Sequence, residues 1–88
     1  VKNKLQKVLE DKLARDILVF FYQNQASVDS ASGVSAWVHD DKKKVRFMLD
    51  NLVTLGVLEE DSTGSTKGYS YTRDKKVMKI VKDLMGDV

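Results

Sequence analysis

The chain has 88 residues, 42% hydrophobic and 32% charged, with no cysteine, no proline and one histidine. That length suits one domain with a modest core, and the absence of cysteine excludes disulfides, thiolate metal sites and cysteine nucleophiles. The net charge of +2 is too small to demand a polyanionic partner, so the placement of the charges carries more weight than their sum.

Taken in chain order, Leu5, Val8, Leu9, Leu13, Ile17, Leu18, Phe20 and Phe21 recur at helical spacing and predict one long helix over 3–24. The polar stretch "NQASVDSAS" interrupts it, with a brief extended segment at Val28. Asp29 or Ser30 then caps a second helix over 30–38, on which Val34, Trp37 and Val38 share a face. Trp37 is expected in the core, with Leu13, Ile17, Phe20, Phe21, Val45, Leu49, Leu52 and Val81. After the turn His39-Asp40-Asp41, a third helix over 41–55 carries the stripe Val45, Met48, Leu49, Leu52 and Leu55, and Gly56 supplies a left-handed terminator. Two short extended runs, "VLEED" and "YSYT", joined by "STGSTKG", predict a hairpin over 57–72. Asp74 caps a last helix over 74–85, with Val77, Ile80, Val81 and Leu84 on one face. The expected fold is one domain over 1–88, mainly α with a small β-hairpin: four helices and a two- or three-stranded antiparallel sheet.

The segment "VSAWV" followed by "KKKVRFMLDNLVTLGVLEE" resembles the second half of a winged helix-turn-helix regulator of the MarR/ArsR-like kind. Val45, Met48, Leu49, Asp50, Leu52, Gly56, Val57 and Leu58 match the pattern of the recognition helix and following strand. Ser35 falls where such domains hold a small residue at the helix crossing, and Tyr69 to Thr72 resemble the second wing strand. The resemblance implies a transcriptional regulator that binds double-stranded DNA, with helix 41–55 in the major groove. It also implies a homodimer built by the helices that flank the core. Two departures stand out. The inter-helix turn has His39 and Asp40 where the family pattern has glycine and an apolar residue. The wing has Lys67 behind an acidic strand, Glu59-Glu60-Asp61, where the pattern has arginine near the tip.

The chemistry concentrates at one helix start. Lys42, Lys43 and Lys44 occupy the first turn of the third helix and Arg46 the next, although cations at a helix N-terminus oppose its dipole by roughly 0.3–1 kcal/mol each. A helix chosen for stability alone would carry acids there, so the cluster points to anion binding, with the solvated helix end as the bland alternative. Phosphate contacts are expected from Lys42 and Lys43, base-edge contacts from Lys44, Arg46 and Asn51, and a wing contact from Lys67. Phe47 is expected to fold back against the first helix; a thymine methyl or a protein partner is its alternative neighbour. The apolar stripes of the N- and C-terminal helices, widened by Met78 and Met85, favour a homodimer.

No enzyme is expected. His39 is the only histidine, no phosphate-loop motif occurs, and no cofactor or metal site is indicated. The apolar runs are far shorter than the roughly 20 residues of a membrane span, and the charged start does not read as a secretion signal. The expectation is a soluble cytoplasmic protein. A winged-helix protein–protein module within a larger assembly is the rival reading, supported by the acidic wing strand.

Overall fold

The computed structural model describes residues 2–62 and 66–86. Five helices and a three-stranded antiparallel sheet occur among them, in the order α1 (Lys2–Val8), α2 (Lys12–Gln23), β1 (Val28–Ser30), α3 (Ala31–Val38), α4 (Lys42–Thr54), β2 (Leu58–Asp61), β3 (Gly68–Tyr71) and α5 (Lys75–Met85). The strands lie in the order β1-β3-β2. Val28 pairs with Ser70 on one side of β3, and Leu58 pairs with Tyr71 on the other. This is a mainly helical domain with a small sheet, in a winged-helix arrangement.

The continuous helix expected over 3–24 is two helices. Glu10 N and Asp11 N donate to Lys7 O and Val8 O in a tight turn, and Asp11 then caps α2 by accepting from Leu13 N at 2.8 Å. The Leu9 carbonyl, left outside both helices, accepts from Arg15 Nε and Nη2 at 3.2 and 3.0 Å. Leu5 in α1 and Leu9 in the turn itself are both buried. The apolar spacing therefore runs straight through the interruption, and periodicity alone gave no sign of it.

Local chemistry sets the other boundaries. Ser30 caps α3, accepting from Gly33 N at 3.1 Å. His39 ends that helix with φ 59° and ψ 47°, the left-handed conformation that costs a side-chain-bearing residue roughly 1–2 kcal/mol. Ser35 secures the turn. Its carbonyl accepts from His39 N and Asp40 N, and its Oγ donates to Asp40 O at 2.6 Å. The unusual turn sequence thus still closes, with histidine doing what glycine does more cheaply. At the far end of α4, Gly56 takes φ 85°. Gly56 N donates to Val53 O at 2.9 Å and Val57 N to Leu52 O at 3.1 Å, the paired bonds of a Schellman terminus.

Ile17, Phe20, Phe21, Val45, Leu49, Leu52 and Val81 are buried as expected, joined by Leu18, Val34, Val57, Leu58 and Tyr69. Two members of the expected core are not in it. Leu13 is half-buried, and Trp37 is 49% exposed. The indole leans on Phe20, ring centroids 4.9 Å apart, but α3 ends one residue later and leaves its outer side in water.

The terminal helices turn their stripes inward: Leu5 and Leu9 at one end, Val81 and Met85 at the other, are buried within the chain. The apolar surface that motivated a homodimer already covers the domain's own core. Among the described residues, no helix is long and apolar enough to cross a membrane.

Candidate nucleic-acid interface

Helix α4 presents its cations on a buried base. Asp41 caps it, accepting from Lys44 N at 3.1 Å, while Val45, Leu49 and Leu52 are fully buried beneath. Lys42, Lys43, Lys44 and Arg46 are all exposed, and none forms an ion pair with a described residue. A helix turns about 100° per residue, so Lys43 and Phe47 point most directly away from the core. Lys42 and Arg46 lean toward the wing, and Lys44 and Asn51 lean toward α1.

The lining of the surrounding clefts agrees with that rotation. Lys42 and Arg46 share a cleft of about 230 Å³ with Ser30, Ala31 and Ser32 at the start of α3 and with Thr66, Lys67 and Tyr69 of the wing. The first turn of α3 is already served by its own side chains, Ser30 Oγ accepting from Gly33 N and Asp29 Oδ1 from Ser30 N at 3.1 Å each, so what the cleft offers an anion is the pair of cations from α4. The start of α3 was absent from the sequence reading of the site. Its distance from α4 along the chain hid it, and the serines around the cap were the only signal.

Asn51 lies elsewhere. It is half-buried and lines a groove with Lys4, Lys7 and Val8 of α1, on the side of α4 away from the wing. Phe47 is 67% exposed and does not fold back against the first helix. The buried stripe occupies the opposite side of α4, so a side chain at this position has no neighbouring element to cover it.

Lys67 is held differently from the other cations. Its Nζ lies 3.0 Å from Asp50 Oδ1 and 3.0 Å from Glu60 Oε2, and 5.5 Å from the centre of the Tyr69 ring. Tyr69 Oη also donates to Asp50 Oδ1, at 2.7 Å. The hydrogen bond from Tyr69, followed by that from Lys67, holds the Asp50 carboxyl below its usual range even though partial burial pushes the other way. Asp50 and Glu60 raise the Lys67 ammonium above its ordinary value. Burial, and then the bond to Asp50, push the Tyr69 hydroxyl upward. The lysine expected to grip phosphate is therefore a strut joining the wing to α4. Of the hairpin tip, Thr63, Gly64 and Ser65 lie outside the described residues.

Compared with known proteins, the chain matches no family model and no curated protein sequence.

Proposed function

We propose that this domain binds double-stranded DNA as a transcriptional regulator, with the N-terminal half of α4 entering the major groove. One observation carries the reading. Four cations, Lys42, Lys43, Lys44 and Arg46, stand exposed and without ion pairs among the described residues where the helix dipole disfavours them. Lys42 and Lys43 meet phosphates, and Lys44 and Arg46 reach base edges. Asn51 and Lys67 are peripheral, since one faces α1 and the other is spent on two carboxylates. The proposed role is binding rather than catalysis; His39, the lone histidine, stands exposed at the end of α3. A cytoplasmic location goes with this proposal. A homodimer through the terminal helices would have to use their half-buried margins, such as Val77, Ile80 and Leu84, and sedimentation at high micromolar concentration tests for it.

The decisive measurement is a titration of a short random-sequence duplex at two salt concentrations. Binding through several phosphates weakens steeply with salt, and Lys43→Ala should reduce the salt slope by roughly one unit. Affinity that is absent, or that ignores salt, removes the proposal. The exposed Phe47 would then favour the second reading, a protein-interaction module within a larger assembly.

A further inference from the structure

Resting on the DNA-binding reading of α4, we infer that Phe47 is a specificity-determining residue that reads the C5 methyl group of pyrimidines, above all thymine, in the major groove. Three observations converge on it. Phe47 is the most exposed large hydrophobic side chain among the described residues, at 67%, while Val45 and Leu49 on the same helix are fully buried. It stands one helical turn after Lys43, on the face opposite the buried stripe, and with Lys43 it points most directly away from the core. Lys43, Lys44 and Arg46 lie within one turn of it, exposed and without an ion pair among the described residues, while Asp50, one turn further on, is engaged by Lys67 and Tyr69.

A single exposed apolar side chain needs no function of its own; what sets Phe47 apart from Val28 and Trp37, which are also exposed, is its place among the cations of α4. A ring fenced by unpaired cations suits a partner that is polyanionic outside and apolar inside. The duplex major groove offers that combination, with phosphates along its rims and the thymine methyl as the apolar group on its floor. The phenyl ring has no hydrogen-bonding atom, so it cannot tell base edges apart by donors and acceptors. It can only favour a base that offers it carbon. The hydrogen-bonding code is left to Arg46, whose guanidinium donates, and the methyl code falls to Phe47.

The test compares synthetic duplexes that differ only in the methyl. The intact chain is titrated with an alternating dA-dT duplex and with its dA-dU counterpart, then with alternating dG-dC and its 5-methyl-dC counterpart, each at the same two salt concentrations. The parent should prefer each methylated duplex by about fourfold for every methyl covered, the factor given by burying one apolar carbon. Phe47→Ala should lose the preference while keeping its salt-dependent binding, and Phe47→Leu, which still offers carbon, should keep part of it. The ring is exposed, so both variants should melt like the parent. Equal binding of methylated and unmethylated duplexes by the parent, with salt sensitivity intact, overturns the methyl inference and leaves DNA binding standing. No binding to any duplex overturns both, and Phe47 then belongs to a protein contact.

Discussion

Two lysine-bearing surfaces lie side by side on this domain and have opposite fates. At the start of α4, Lys42, Lys43 and Lys44 stand exposed and form no ion pair with a described residue, the Asp41 carboxylate being turned to the helix backbone as its cap. On the wing, Lys67 is clamped between Asp50 and Glu60 at 3.0 Å each. The residue type is the same, but the charge of one group is available and that of the other is spent. A cation already neutralised within its own chain gains little from a phosphate, because it must first give up the partner it has. Basic residues count toward a binding surface only after their internal partners are subtracted.

The largest effect should come from the base that both surfaces share. Leu49 is fully buried under α4, and Leu49→Ala should cost ~2–5 kcal/mol through lost transfer energy and the cavity left behind. Thermal unfolding checks it. A variant that melts like the parent would mean that α4 does not rest on its Val45-Leu49-Leu52 stripe.

Next comes the direct contrast between the surfaces. The double variant Lys43→Ala, Arg46→Ala should weaken duplex binding by roughly 10- to 100-fold at low salt and leave the melting temperature unchanged or slightly higher. Lys67→Ala should do the reverse, lowering the melting temperature with little effect on binding. If Lys67→Ala weakened binding as much as the double variant, the difference between the two surfaces would vanish.

The wing strand offers a sharper version of the same lesson. Tyr69 and Tyr71 both face the core from β3, yet only Tyr69 has a hydrogen-bond partner for its hydroxyl. Tyr71 Oη is buried with no partner among the described residues, and burial, with Tyr22 beside it, pushes its ionisation up to about 12. Tyr69→Phe should destabilise by about 1–2 kcal/mol, since its partner is charged, whereas Tyr71→Phe should stabilise by about 1 kcal/mol by removing an unsatisfied group. Urea midpoints of the two variants should move in opposite directions.

The smallest effect concerns Asp50 and pH. Its carboxyl titrates below the ordinary value in the folded domain, so it binds fewer protons folded than unfolded. The stability it contributes is complete above the ordinary carboxylate pKa of about 3.9, and it is lost as pH falls through the lowered folded value. The side chain is nearly half exposed, so screening limits the cost of Asp50→Asn to about 0.5–1 kcal/mol at neutral pH. Urea unfolding of parent and variant from pH 7 downward should show a constant gap to about pH 5 and a narrowing one below it, closing only once the pH is under the lowered folded value. A gap that does not narrow at all down to about pH 1 would show that the carboxylate charge is not what joins the wing to the helix.

Much of this architecture is local and was legible in the residues. The period-3.6 stripes of α4 and α5, the cap at Asp74, and the glycine after α4 depend on neighbours within one helical turn, so the chain specified them wherever they came to lie. The cationic start of α4 belongs to the same class, because four charges within five residues of a capped helix must share its N-terminal end. What the sequence left undetermined depended on distant neighbours. The break between α1 and α2 was invisible because Leu5, Leu9 and Leu13 keep the apolar spacing through it, and the bond from Arg15 to the Leu9 carbonyl appears only once the chain has turned. Trp37 was expected in the core and Phe47 against the first helix, and both stand exposed, since hydrophobicity does not say whether another element will arrive to cover a side chain. The role of Lys67 was decided by Asp50, 17 residues away. Whether a charge is free or spent is a property of three-dimensional neighbours, and only the packing of the wing against α4 could settle it.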